Sequence, residues 1–483
     1  MRSAVAALVS FVVCAHGAFA ASAPASGAHG SRPEDTSALP GLCAPYQGAG
    51  ASVALEGLRF APEQARDPGS AVATIDARQS MLILNGGHFL LRTSTVYAGD
   101  IEFRFRTVGS PDGEWTIDEI GWRDGDVLQA DDAAASVKDY ADLRMLVPGL
   151  LACDAHASPA VAAGAQLTYQ DPAGRPVTLH LSSGLIQTAQ VGADDYHYLD
   201  WRQTPQGPAP QVIERRRRDQ LVARWTTVRT APAQGRYEGV LTAPEGYRPA
   251  DDGGTLRATP LGAGAYRVDA APSGYHTGFV VGARAIAVFD APVSLEAAKQ
   301  VRDLVERTAP NLPIAYVVVS HVHGDHVAGL AAYADAEVIA GSGASAAIAR
   351  QFGAGPAFRL HEVTTAARID LGGRSVAVFP IDSSHASTML VAYDPDSKAL
   401  FQGDLFYLPE RGATPPAFTT GLELQQLIAR EKLDVRSIVG VHGRTGGMDD
   451  LAHAVGLRAA RPQDRGCVGT IIGPTAQGGL TTC

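Results

Sequence analysis

Two rhythms of apolar and polar residues divide this chain. From about Gln47 to Arg229, apolar residues alternate with polar ones in short runs: MLILNGG, DIEFRFRTV, EWTIDEIGW, QLTYQ, VTLHL, VIERRRR and LVARWTTV. A period of two sets successive side chains on opposite faces of a strand. Asp112-Gly113, Asp124-Gly125 and Asp171-Pro172 separate the runs as turn signals. The pattern predicts a mostly antiparallel, β-rich N-terminal domain over 46–230, with a helix around Ala133 to Leu146. The arginine run Arg215 to Arg218 reads as the solvated face of an edge strand, where charge discourages strand addition. Contact with a polyanion or a membrane surface is the other reading of that run.

A segment spotted with Pro and Gly, Ala231 to Gly254, marks a boundary. Beyond it strands alternate with helices, predicting an α/β domain over 231–460 and a C-terminal tail over 461–483. GFVVGARAIAVFD is a strand, a turn and a second strand. SLEAAKQVRDLVERT follows as a helix, with Ser294 as N-cap and Ala298, Val301, Leu304 and Val305 on one face. IAYVVVS is a continuous apolar run, the pattern of a strand buried on both sides. Later elements are a helix near Ser345 to Gln351, the strand RSVAVFPI, a hairpin turned at Asp394 to Ser397, the helix LELQQLIAREKL and the strand RSIVGVHG.

Composition narrows the compartment and the partners. The first 20 residues carry one arginine, an apolar run from Ala4 to Val13 and the small-x-small pattern Ala18-Phe19-Ala20, which reads as a cleaved secretory signal. Residues 21–45, rich in Ala, Ser, Gly and Pro at their start, read as a flexible lead-in. No later run is apolar enough to span a bilayer. The expected location is periplasmic or secreted. Without Cys14 four cysteines remain, allowing three pairings, of which Cys43 with Cys153 and Cys467 with Cys483 keep each pair within one region. The formal net charge of −10 argues against a nucleic-acid partner, which needs a basic face.

The chemistry concentrates in SHVHGDH, at the C-terminal end of the apolar strand. His321 and His323 are two apart, so both imidazoles can face one side while Val322 faces the core. Gly324 permits a sharp change of direction, placing Asp325 and His326 across the turn. Imidazole nitrogen and carboxylate oxygen suit zinc, and to a lesser degree iron or manganese. Asp290, closing AIAVFD, is a candidate for orienting a ligand histidine from behind. His276 in SGYHTG is a candidate for the pocket mouth. No GxSxG nucleophile elbow is present.

The HxHxDH pattern resembles the metallo-β-lactamase superfamily. His385 in IDSSHAST, Asp404 in FQGDLF and His442 in GVHGR follow predicted strands in that family's order. The resemblance covers about Thr255 to Gly456 and implies an αβ/βα sandwich with two metal ions, zinc being expected. It implies that His321, His323 and His385 hold one ion, that Asp325, His326 and His442 hold the other, and that Asp404 bridges. It further implies a hydroxide between the ions as nucleophile, with Asp325 to accept or pass a proton. In the N-terminal region the strand rhythm resembles, faintly, the half-barrels of envelope lipid-carrier proteins, and this implies no function.

Asp404 sharpens the expectation. Class B β-lactamases generally lack a bridging carboxylate at this place, whereas hydroxyacylglutathione hydrolases, lactonases and related esterases have one. The resemblance therefore implies a small-molecule substrate, hydrolysed at an ester, thioester, lactone or related carbonyl group. The alternatives are a β-lactam hydrolase, a mononuclear iron persulfide dioxygenase and an envelope ligand-binding protein.

Overall fold

The computed structural model describes residues 38–460 apart from 68–73, 121–126, 164, 234, 236, 250–254, 270, 272–273, 354–357 and 411, together with 470–471 and 481–482. The expected signal segment, Cys467 and Cys483 lie outside the described residues.

The period-two region folds into one sheet of fourteen strands among the described residues. Ala51–Phe60 sits near its middle, pairing with Thr74–Ile83 on one side and with Gln220–Pro232 on the other. From these two neighbours antiparallel hairpins run outward to Val127–Asp131 in one direction and to Val161–Ala163 in the other. One face of the sheet wraps the helices Ala133–Arg144 and Pro148–Ala157. Their Tyr140, Leu150, Leu151 and Ala155 pack with Leu55, Met81, Phe89, Leu179, Tyr198 and Ile213 of the strands. Residues 38–45 are part of this core rather than a loose lead-in. Leu39–Cys43 is a short helix whose Leu39, Leu42 and Cys43 are buried, and a disulfide ties Cys43 to Cys153.

The arginine run is not on an edge. Gly207–Arg217 is an interior strand, held by Asp194–Thr204 and Gln220–Pro232. Charge is tolerated there because Asp194 pairs with Arg215 and Arg217, and Glu214 with Arg216, at 2.9–3.0 Å. The boundary also falls later than 231. The strand Gln220–Pro232 runs past it, Ala233, Tyr237, Val240 and Leu241 pack with Leu82, Leu90 and Val108, and Arg248–Pro249 pairs with Val127 and Leu128. These apolar residues have the N-terminal sheet as their partner, which composition does not reveal.

The second region contains two sheets. The first has seven strands, in chain order from Arg257–Gly262 to Arg359–Val363. Its first pairs are antiparallel, and the four strands Ile286–Phe289, Ile314–Val318, Glu337–Gly341 and Arg359–Val363 are parallel. The second, from Ala367–Asp370 to Ser437–Val439, is antiparallel until its last pair. Parallel neighbours need crossovers, supplied here by helices such as Leu295–Thr308, Ala344–Phe352 and Thr419–Glu431. In Leu295–Thr308, Ser294 accepts a hydrogen bond from the Ala297 amide at 3.2 Å, and Ala298, Val301, Leu304 and Val305 are the buried face, as the spacing predicts.

Val280, Ala287, Phe289 and Val318 of the first sheet meet Val378, Leu390, Ala392 and Phe401 of the second in one core. The opposite face of the first sheet packs on Leu295–Thr308 and Ala344–Phe352, and that of the second on Thr419–Glu431 and Met448–Ala460. No described helix is long and apolar enough to cross a membrane.

The N-terminal domain docks over the loops at one end of these sheets. Arg66 donates to the Ser383 carbonyl and to Asp382, both at 3.0 Å, and the Ser387 amide donates to the Arg66 carbonyl at 2.8 Å. Asp100 accepts from Thr419 at 2.7 Å and from Arg458 at 3.1 Å.

Candidate metal centre

Strand Ile314–Val318 runs parallel between two neighbours and delivers Ser320 to His326 at its C-terminal end, the end where α/β sheets commonly place ligands. Val322 is buried in the apolar core while His321 and His323 turn to the other side. The turn after them works differently from the expectation. Gly324 has no left-handed backbone, and a Cβ there would make only ordinary contact, 3.5 Å from Gln351 Nε2. The change of direction comes from the helical turn Gly324–Val327, entered through an extended His323. Gly403, before Asp404, is the glycine that space demands. A Cβ on it would lie 2.2 Å from Ser320 Oγ and 3.1 Å from His321 Nδ1.

The structure brings all seven sequence-selected residues together. Three overlapping sets converge, with candidate ligand atoms within 4.8 Å of one another: His321, His323 and His385; His321, His326 and Asp404; Asp325, Asp404 and His442. His321 Nε2 lies 3.0 Å from His323 Nδ1 and 3.3 Å from His385 Nε2. Asp404 Oδ2 is 3.3 Å from His326 Nε2 and 3.6 Å from His385 Nε2, and Asp404 Oδ1 is 3.6 Å from His442 Nε2. Apart from Asp325, which keeps slight exposure, the seven are buried.

Burial and crowding fix the charges. Burial, with His326, His323 and His385 alongside, holds His321 well below the usual imidazole range. His323 is pushed down to about 3 by burial and by His385, and burial lowers His385. Uncharged imidazoles present lone pairs. Burial pushes the Asp404 carboxyl up, but His326 and His442 outweigh it and hold it well below the carboxylate range. His326 is raised for the complementary reason: burial lowers it, and Asp404 and Asp325 more than compensate.

Contacts behind the cluster orient it. Asp290 accepts from the Ser320 amide at 2.6 Å and from the Ser320 hydroxyl at 2.8 Å, and its Oδ2 lies 3.2 Å from His326 Nδ1. A hydrogen on Nδ1 leaves Nε2 of His326 to the cluster, the orienting role expected of Asp290. His276 does not reach the mouth. Its Nδ1 lies 3.3 Å from the Val268 carbonyl and its Nε2 3.2 Å from Glu410, because residue 276 turns into the space between the two sheets. The neighbouring Tyr275 faces the centre instead. Its hydroxyl donates to Asp325 Oδ2 at 2.7 Å and its ring lies 4.5 Å from that of His442.

Other contributors carry no sequence signal. Gln64 Nε2 donates to Asp325 Oδ1 at 3.1 Å across 261 residues of chain. The rings of Phe103 and Tyr407 lie 5.9 Å and 5.5 Å from His442. They belong to an apolar cluster with Ile101, bordered by Tyr97, Phe105, Ile120 and Phe418.

The donor set fits metal ions. Buried His326 Nε2 and Asp404 Oδ1 have no hydrogen-bond partner among the described residues, although buried polar atoms are nearly always satisfied. Both face the cluster.

The family comparison agrees with this site. The sequence profile of the metallo-beta-lactamase superfamily matches residues 272–442, a span that holds all seven residues. No curated protein matches the chain. Among solved structures, a metallo-beta-lactamase from Pontibacter korlensis aligns at 19% identity and a TM-score of 0.35, covering 43% of this chain and all of that one. The flavodiiron protein from Giardia intestinalis aligns at 16% identity and 0.34, over 42% of this chain and 58% of that one. The Flv1 flavodiiron core from Synechocystis sp. PCC6803 aligns at 16% and 0.34, over 41% and 59%. This chain therefore spans somewhat over half the length of the two flavodiiron chains. Its own C-terminal region, carrying the HVHGDH turn with His385, Asp404 and His442 gathered around it, belongs to the metallo-beta-lactamase superfamily.

Proposed function

We propose that this protein is a dinuclear zinc hydrolase, periplasmic or secreted, acting on an ester, thioester, lactone or related carbonyl substrate. We read its two facing sheets with helices on their outer sides as the αβ/βα sandwich of the family. The observation that carries the proposal is the position of Asp404, whose two oxygens lie within 3.6 Å of ring nitrogens of His326, His385 and His442. One carboxylate reaching both halves of the cluster supports a bridging role.

In this reading His321, His323 and His385 would hold one ion, Asp325, His326 and His442 the other, and Asp404 both. When bound, such a pair would supply Lewis acidity, enough to bring the pKa of a water to roughly 7 and to polarise a carbonyl. The chain's residues supply the rest. The imidazoles of His321, His323 and His385 stay neutral as lone-pair donors because burial disfavours their cations. Asp325 is held ionised by its surroundings: burial raises it, but His326 lowers it, aided by the Tyr275 hydroxyl. With Gln64 and Tyr275 each donating to one of its oxygens, it is fixed where it can accept a proton, at reduced basicity. Phe103 and Tyr407 form an apolar wall beside His442, suited to an acyl or aryl group. The Cys43–Cys153 disulfide supports an oxidising compartment.

The test is metal analysis of the purified full chain with a hydrolysis screen over nitrocefin, lactones, thioesters and aryl esters. Two zinc ions and hydrolysis, both lost in Asp404→Ala, are expected. Full activity without metal refutes the proposal. Bound iron with thiol-dependent oxygen uptake and no hydrolysis replaces it with the dioxygenase reading.

A further inference from the structure

Two histidines of the cluster face backbone carbonyls that come from the other domain. His323 Nε2 lies 3.2 Å from the Ala65 carbonyl, and His385 Nδ1 lies 2.9 Å from the Ala98 carbonyl. A carbonyl oxygen only accepts, so the ring nitrogen facing it carries the hydrogen. The other nitrogen of each ring, Nδ1 of His323 and Nε2 of His385, is then a lone pair, and each of these is the atom that meets His321 Nε2. The two histidines thus present opposite nitrogens to His321, and the outer nitrogen of each faces a carbonyl of the N-terminal domain.

The segments bearing these carbonyls are held in register. Around Ala65, Arg66 bonds the Ser383 carbonyl and Asp382, while its own carbonyl accepts from the Ser387 amide. The turn after Ala98 is fixed by Asp100 against Thr419 and Arg458. Gly99 has φ +85, and a Cβ on it would lie 2.6 Å from Thr420 Cγ2 and 3.4 Å from His385 Cβ. The turn therefore packs against Thr420 more closely than a side chain at this position would allow, directly beside His385.

We propose that the N-terminal sheet domain is a working part of the metal centre, its Ala65 and Ala98 carbonyls acting as positioning groups that select Nδ1 of His323 and Nε2 of His385 as the inward atoms. The role assigned to those atoms rests on the ligand assignment above; the carbonyl contacts themselves do not. Gly99→Val forces the Ala98 turn away from His385 without altering any residue of the cluster. Gly192→Val is the matched control, a glycine at φ +60 with no atom of the described residues within 4 Å of its Cβ, so it carries the backbone strain alone.

Two measurements on the full chain decide the matter. In metal-free protein with 15N-labelled histidine, long-range proton–nitrogen correlation should show the hydrogen on Nε2 of His323 and on Nδ1 of His385. Gly99→Val should shift His385 toward the other tautomer, and Gly192→Val should not. In zinc titrations against a chromophoric chelator, Gly99→Val should weaken one of the two ions by about 10–100-fold, the usual effect of losing such an outer contact, with Gly192→Val matching the parent. Reversed tautomers in the parent overturn the proposal, as does a Gly99→Val protein with parental tautomers and zinc affinity, or a Gly192→Val protein equally impaired. A parent with the stated tautomers that binds no zinc refutes the metal assignment and leaves the carbonyl contacts standing.

Discussion

Asp290→Asn tests the link between a buried carboxylate and the centre. Asp290 has φ 61, a backbone conformation that Asn tolerates, so the substitution exchanges chemistry and keeps shape. The amide oxygen can still accept from the Ser320 amide. Its NH2 group then faces the Ser320 hydroxyl and His326 Nδ1, 2.8 and 3.2 Å from the present Oδ2. A donor facing Nδ1 favours the tautomer with hydrogen on Nε2, the nitrogen 3.3 Å from Asp404. A hydrogen bond to a charged group contributes about 1.5–3 kcal/mol, and about 1.4 kcal/mol is tenfold in affinity. The expected loss is therefore on the order of 10–100-fold for the ion that His326 helps to hold. Competition titration of the metal-free full chain with a chromophoric chelator should resolve one weakened and one unchanged ion, with the thermal midpoint of the metal-free protein little altered. A two-ion isotherm identical to that of the parent would refute the reasoning, since it would mean that the Asp290 contact does not govern the His326 tautomer.

Further predictions concern the Asp325 contacts and the N-terminal domain. Tyr275→Phe keeps the ring against His442 and removes the donor to Asp325 Oδ2; turnover of the best substrate from the screen should fall about tenfold or more, by roughly the worth of a charge-assisted bond, with two ions retained in metal analysis. The Cys43–Cys153 link closes a loop with a sequence separation of 110, for which the chain-entropy account gives about 4.8 kcal/mol. Cys43→Ser with Cys153→Ser should lower the thermal midpoint of the N-terminal transition clearly, and an unchanged midpoint counts against this loop as a main restraint. The Glu114 carboxyl is pushed up to about 8 by burial and then by Asp139 and Asp131, and its Oε2 has no hydrogen-bond partner among the described residues. An acid raised on folding binds its proton more tightly in the folded state, so its stabilising effect is complete below about 4.5 and is lost as pH rises through about 8. Glu114→Gln should therefore raise the thermal midpoint at pH 8 to 9 and flatten its decline above pH 4.5.

Periodicity and chemical identity made much of this protein legible in its sequence. The period of two in the first region, the amphipathic face of Leu295–Thr308 with its Ser294 cap, and the apolar strand before His321 are local properties, since neighbouring residues along the chain decide them. The seven clustered residues were legible for another reason: HVHGDH places four polar, metal-capable side chains in six positions, and the later His385, Asp404 and His442 each follow a strand. Asp290 was legible as the end of the strand beside them.

What the tertiary structure alone decided is the set of contacts between segments far apart in the chain. The arginine run became an interior strand because Asp194 and Glu214 neutralise it across and along the sheet. Tyr275 rather than His276 turned to the centre because the sheets, not the motif, set which neighbour faces inward. Gln64 reached Asp325, and Ala65 and Ala98 reached His323 and His385, across more than 250 residues, the last two through backbone carbonyls that every residue possesses and no sequence pattern can mark. A sequence records which side chains can bind, donate or accept; docking one domain on the other determines which backbone oxygen lies beside which imidazole.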